Sequence, residues 1–280
     1  MKLSANLAGV KVGDGCPVRV IGAINVSPES FYGESVARSR RALQQLARRM
    51  VGEGAVILDV GAMTTAPYQH GAISEAEERR RLLAAIGALR DTVEVPIAVD
   101  TQRSSVADAA LEIGAAIIND VSGLGDPAMG AVARRAAGVI LMASEAGPTQ
   151  TPPVNMIAAI LRRCLARARA AHIASHRIVL DPGIGFFRST AVPWYEFDCL
   201  VLRELGRFRR LGRPLLIGVS RKSFIGRLTA RNDPGERLPG SLAAAAIAVI
   251  NGASLIRAHD VAATVDAVRI AEAIGVRQFT

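Results

Sequence analysis

Eight short β-rich apolar runs alternate with helix-like segments along the whole sequence, near residues 17–24, 55–60, 96–100, 115–120, 138–142, 177–181, 214–219 and 253–258. No Pro/Ser-rich linker, charge block or change of composition interrupts them. Alternation of this kind specifies a parallel sheet covered by helices. Eight strands is the number that closes a barrel, so the reading is α/β, a single (β/α)8 TIM barrel forming one domain over residues 1–280. A doubly wound open sheet has the same alternation and is the competing architecture. Helix signals support the segmentation. Ser74 with Glu77 and Ser105 with Asp108 have capping-box spacing, and Asp126–Pro127 suits an N-cap followed by a first-turn proline. Gly54, Gly114, Gly138 and Gly252 stand between a helical run and the next strand, where a left-handed residue is wanted.

The chain has 280 residues, half of them hydrophobic, enough for one large core. Its longest apolar run, Leu242 to Ile250, is about half of what a bilayer requires, so no membrane association is expected. The first residues lack a signal-peptide pattern, and the expected location is cytoplasmic. Cys16, Cys164 and Cys199 are too unevenly spaced for a disulfide framework or a CxxC metal site. The net charge of +9 sits largely on scattered helix arginines such as Arg162, Arg163, Arg167 and Arg169, and aromatics are only 4%. Nucleic acid is therefore not the expected partner.

Polar residues end nearly every predicted strand: Asn25, Asp59, Asp100, Asn119, Asp181, Ser220 to Lys222, and Arg257 with His259. In a barrel those ends converge on one mouth. Asp100, Asn119 and Asp181 provide acceptors and an amide, which suits a flat heterocycle rich in N–H groups. Lys222, Arg257 and His259 provide donors for an anion, and Arg257 and His259, two apart, are expected on one face. Neither a zinc-site spacing nor a GxGxxG or GxxxxGKS loop is present.

The segments IGAINVSPESF (21–31), ILDVGAMTTAP (57–67), PIAVDTQ (96–102), AAIINDVSG (115–123), VLDPGIGF (179–186), IGVSRKSFIGRL (217–228) and GSLAAAAIAVINGASLIRAHDV (240–261) resemble dihydropteroate synthase in order and spacing. The resemblance implies a transferase that joins a 7,8-dihydropterin-6-ylmethyl diphosphate to an arylamine and releases pyrophosphate. It implies that Asp100, Asn119, Asp181 and Lys222 hold the pterin between apolar walls from Met142 and Phe186. Asn25, Arg257 and His259 would receive the diphosphate, with Mg²⁺ bridging near Asn25, and Lys222, Arg257 and His259 would form the catalytic set. Thr65, Ser220 and Arg221 would face the arylamine, and a homodimer through the late helices is usual in the family.

The sequence departs from the family in three loops. Gly33 occupies the place of a first-loop aspartate, with Glu34 following; Ala66 replaces a second-loop arginine; and Met142-Ala-Ser replaces Met-His-Met. This spelling looks like the dihydropteroate synthase-like proteins of tetrahydromethanopterin producers, whose acceptor is a ribofuranosylaminobenzene 5'-phosphate. That acceptor is accordingly expected in preference to p-aminobenzoate. Two alternatives share the barrel: a pterin-binding protein without synthase activity, and a pterin-dependent corrinoid methyltransferase, which typically lacks SRKSFIG.

Overall fold

The computed structural model describes residues 2–27, 39–62, 73–144, 151–188, 190 and 192–275. After a two-stranded antiparallel hairpin, β1 (Ser4–Leu7) and β2 (Val10–Gly13), come eight parallel strands. They are β3 (Arg19–Asn25), β4 (Ala55–Gly61), β5 (Ile97–Asp100), β6 (Ile117–Asp120), β7 (Gly138–Met142), β8 (Ile178–Asp181), β9 (Leu216–Gly218) and β10 (Leu255–Ala258). Each pairs with its chain neighbour, and β10 also pairs with β3. A parallel bridge between Leu180 and Leu215 joins β8 to the start of β9, which rules out an open sheet and closes the expected barrel.

Nine α-helices among the described residues surround the strands: α1 (Arg40–Gly52), α2 (Glu75–Arg90), α3 (Ser104–Glu112), α4 (Met129–Ala133), α5 (Pro153–Ala170), α6 (Trp194–Arg203), α7 (Ser223–Thr229), α8 (Leu238–Ile250) and α9 (Val261–Ile274). The Leu242–Ile250 run forms most of α8, and no described helix is long and apolar enough to cross a membrane. Ser74 caps α2 as expected, its hydroxyl accepting from Glu77 N. Ser105 and Asp108 do not form a box: α3 begins at Ser104, Ser105 donates to Glu75, and Asp108 pairs with Arg135. Asp126 takes over that capping, accepting from Ser104 N at 2.9 Å as well as from Ala128 N.

Period-two alternation organises the barrel interior. Each strand sends one apolar residue to a common inner layer: Ile21, Ile57, Ala98, Ile117, Ile140, Val179, Leu216 and Leu255. Ala5, Leu7 and Val12 of the hairpin join this layer and plug the barrel from below. The sequence reading did not include the hairpin, and it explains one error. Gly54, Gly114 and Gly252 do adopt positive φ, whereas Gly138 is the first residue of β7. A Cβ at Gly138 would stand 2.7 Å from Leu7 Cδ2 and 3.0 Å from Leu7 Cα, so glycine is needed there for close approach of the plug.

Candidate active site

Two residues beyond the apolar layer, the same inward face carries different chemistry. Asp59 follows Ile57, Asp100 follows Ala98, Asn119 follows Ile117, Met142 follows Ile140, Asp181 follows Val179 and Arg257 follows Leu255. The positions between them are small. Ala23 occupies β3, and a Cβ at Gly218 would already lie 3.9 Å from that of Arg257. A polar ring therefore sits at the C-terminal mouth on an apolar floor, the place where barrels of this kind carry their chemistry.

Arg257 organises one side of the ring. Its Nε donates to Asp59 Oδ2 and its Nη2 to Asp100 Oδ2 at 3.2 Å, while Asn119 Nδ2 donates to Asp59 Oδ2 at 3.0 Å. Asp59 was recognised in the sequence as a strand-end residue but was not assigned to the site. Its period-two offset from Ile57 was the available signal. Asp59 Oδ1 and Asp100 Oδ1 are buried and accept no hydrogen bond among the described residues. Buried carboxylate oxygens in that condition call for donors from elsewhere, such as the N–H groups of a ligand. Burial, reinforced by the charge of Asp59, pushes Asp100 up to about 7.

Asp181 and Lys222 form the other side. Asp181 Oδ1 accepts from Gly183 N at 2.7 Å, and burial pushes its carboxyl up to about 6. That turn requires glycine, because at Gly183 (φ 75°) a Cβ would fall 2.1 Å from Ala143 O. Lys222, the residue before α7, holds Nζ 4.6 Å from the Phe186 ring centroid. Burial lowers Lys222 to about 8, opposed by the charges of Asp181 and Asp198.

One layer further out, Ser220 Oγ lies 2.9 Å from His259 Nδ1 and also accepts from His259 N at 3.3 Å. Donor and acceptor in the Ser220–His259 contact follow from the imidazole tautomer: with the hydroxyl donating to Nδ1, the imidazole hydrogen is on Nε2. Burial and the nearby Arg257 charge depress His259 to about 3, so it presents a neutral N–H donor and not a second cation. Asn25 ends β3, its Oδ1 accepting from Ser27 N at 3.1 Å.

Arg221 corrects the sequence reading. It was expected to face the arylamine, yet its guanidinium is 5% exposed and turned into the fold. It binds both Asp260 oxygens and donates to Pro234 O and Gly235 O. The left-handed backbone at Arg221 (φ 55°) reverses the chain between Ser220 and Lys222, and Arg221 staples that turn to the segment before α8. Thr65 lies outside the described residues, as do Gly33, Glu34 and Ala66. Among the described residues no cluster of three or more His, Cys, Asp or Glu could hold a metal ion by itself.

Comparison with known proteins decides what kind of mouth this is. The pattern of the family described as "Pterin binding enzyme" matches residues 21–259. The dihydropteroate synthase of Escherichia coli is 38% identical over 262 residues, covering 91% of this chain and 90% of that one. The chain belongs to the dihydropteroate synthase family. Its reaction class is that of a transferase joining a pterin diphosphate to an arylamine. Among solved family structures, that of Coxiella burnetii in complex with pteroic acid superposes with a TM-score of 0.87 at 33% identity, covering 98% of this chain and 99% of that one. The Xanthomonas albilineans dihydropteroate synthase with 4-aminobenzoic acid gives 0.86 at 34% identity, with 99% of each chain covered. Membership in the synthase family agrees with the complete SRKSFIG segment and sets aside the corrinoid methyltransferase alternative.

Proposed function

We propose that the donor is a 7,8-dihydropterin-6-ylmethyl diphosphate bound in the polar ring, and that the preferred acceptor is an arylamine larger than p-aminobenzoate, a ribofuranosylaminobenzene 5'-phosphate. The observation that carries the donor half is the pair of buried, unsatisfied carboxylate oxygens, Asp59 Oδ1 and Asp100 Oδ1, beside the Asn119 amide. A pterin offers ring and exocyclic N–H groups that such acceptors would bind, and Met142 and Phe186 would provide apolar contact. In the reaction the methylene C–O bond breaks, pyrophosphate leaves with the electron pair, and the amine nitrogen forms the new C–N bond and loses a proton. Carboxylates of the ring stabilise positive charge on the pterin methylene. Arg257, Lys222 and the Nε2–H of His259 receive negative charge on the leaving group. The pairing of Arg257 with Asp59 and Asp100 sets its position before the diphosphate arrives.

Mg²⁺ with the diphosphate is part of this reading. Magnesium commonly takes one or two protein oxygens and fills its shell with phosphate and water, so the absence of a described all-protein cluster is compatible with it. Asn25 Oδ1, a hard oxygen at the mouth, is the residue that would hold it, and the metal would supply charge neutralisation of the leaving group.

The acceptor half rests on Ala66 and Gly33, which stand where the family pattern has an arginine and an aspartate. It is supported by Arg188, whose Nη2 donates to Ser223 Oγ at 2.8 Å next to Lys222 and whose guanidinium stacks 4.1 Å over Trp194. A guanidinium held there suits an acceptor that carries its own phosphate. Location in the cytoplasm and assembly as a homodimer complete the reading. Exposed Ile247 and Ile250 on α8 and Ile270 and Ile274 on α9 offer an apolar face for a second copy.

The test is to supply the purified protein with the pterin diphosphate and each amine, identify products by mass and compare kcat/KM. Specificity is a difference of transition-state free energies, so the ratio of the two kcat/KM values is decisive. A ratio above one for the ribosylated amine is expected. A ratio favouring p-aminobenzoate overturns the acceptor assignment and returns the protein to folate biosynthesis. Absence of condensation with either amine overturns the reaction.

A further inference from the structure

Asp198 lies on α6, on the far side of the β8–α6 segment from the barrel mouth, and it is 1% exposed. Its Oδ1 accepts from Gly185 N at 2.8 Å, while its Oδ2 is buried without a hydrogen bond among the described residues. Gly185 (φ 84°) is the residue on which Lys222 rests. A Cβ there would stand 3.0 Å from Lys222 Cδ and 3.4 Å from Nζ. One carboxylate thus holds the backbone under the lysine and retains a second oxygen with no hydrogen bond among the described residues. Fixing the backbone N–H needs only a neutral acceptor, which an asparagine would provide, so the charge calls for a separate explanation.

We infer that Asp198 is a positioning residue for Lys222: it fixes the Gly185 shelf on which the lysine stem lies, and its charge keeps the buried ammonium protonated at neutral pH. The inference rests on the placement of Lys222 against the pterin diphosphate proposed above. The other groups facing Lys222 are Asp181 on β8, Arg257 on β10 and Arg188 in the β8–α6 segment. Those facing Asp198 are Lys222 and Arg188, and on its own helix Cys199 feels its charge together with that of Glu196. Arg257, itself paired with Asp59 and Asp100, and Arg188 oppose protonation of Lys222, while the carboxylates of Asp181 and Asp198 favour it. Burial raises Asp198 to about 6, which leaves it mostly ionised at neutral pH and lets it act there as an anion.

The experiment compares the pH dependence of kcat/KM for the pterin diphosphate, from pH 6 to 9.5, in the parent, Asp198→Asn, Asp198→Glu and Lys222→Arg. In parallel, affinity for inorganic pyrophosphate is measured by calorimetry at pH 7 and 9. In Asp198→Asn the Gly185 bond survives and the charge is lost, so the basic limb should move to lower pH by about one unit. The pyrophosphate affinity should fall more steeply between the two pH values than in the parent. In Asp198→Glu, which keeps the charge, the limb should stay near the parent position even if the thermal midpoint falls. In Lys222→Arg the limb should leave the range. A limb unmoved in Lys222→Arg overturns the placement of Lys222 itself. A limb that moves there but not in Asp198→Asn overturns the role of Asp198 alone. Should Asp198→Asn fail to fold, a limb shift of about one unit in Asp198→Glu overturns the charge argument.

Discussion

Replacing Arg257 with methionine removes the guanidinium that bonds two buried carboxylates and leaves a side chain of similar length. Asp59 has 1% of its side chain exposed and Asp100 has 10%, so neither recovers its lost partner by hydration. Removing one member of a buried pair costs about 3–5 kcal/mol. Because Arg257 itself keeps 25% exposure, the lower end applies, about 3 kcal/mol. For a chain of 280 residues that is a fall of about 5 °C in Tm. The charge argument also fixes the pH dependence. Asp100 has its folded-state value raised from 3.8 to about 7, so the folded protein binds the proton more tightly than the unfolded chain. Its contribution to stability is complete below about 4 and is lost as the pH rises through 7. Arg257 pulls that value down, and its removal lifts it further, carrying the loss to higher pH. The deficit should therefore be smaller at pH 5, where Asp100 is protonated in both and only the lost Asp59 partner counts, than at pH 8. Scanning calorimetry at the two pH values measures this. An equal fall in Tm at pH 5 and pH 8 would refute the electrostatic account and leave lost packing as the role of Arg257.

Asp181→Asn keeps the acceptor for Gly183 N but removes the charge beside the pterin, and calorimetric affinity for a reduced pterin should fall about 10- to 100-fold at unchanged Tm; unchanged affinity removes Asp181 from the pterin site. Leu7→Ala should destabilise the barrel by about 3–5 kcal/mol through the cavity left among Ile117, Ile140 and their layer, with KM for both substrates unaltered. A change in KM without loss of stability would mean that the plug communicates with the mouth. Arg221→Met should lower Tm while KM for the amine changes less than about twofold, because the side chain is spent on Asp260 and two carbonyls. A raised amine KM at unchanged Tm would return Arg221 to the acceptor side. His259→Gln should leave the pH profile of pyrophosphate binding between 6 and 7 as it is in the parent, since His259 is already neutral there; a limb that vanishes in His259→Gln would contradict the depressed imidazole.

The eight barrel strands were legible because each is a short apolar run with its own breaks, and the period-two side-chain pattern then placed Asp100, Asn119, Asp181 and Arg257 on one face at one level. These are local properties, carried by a few consecutive residues and preserved when the strands assemble. The family motifs extended that reading to Met142 and Phe186, and Ser74 could be read as a cap because the donor it satisfies lies three residues away. What the sequence could not decide was how long polar side chains distribute themselves once several elements meet. Arg221 and Arg257 are both strand-end arginines, yet one faces Asp260 and two carbonyls inside the fold and the other faces Asp59 and Asp100 in the mouth. The difference arises from a left-handed residue at Arg221 and from partners 39 and 198 residues distant. Gly138 was a helix terminator by its position and a contact glycine by its neighbour Leu7, which only the hairpin packed under the barrel brings there. His259 became a neutral imidazole through desolvation, the same effect that pushes the Asp198 carboxyl up to about 6. That quantity depends on everything packed around a group, so no window of sequence contains it.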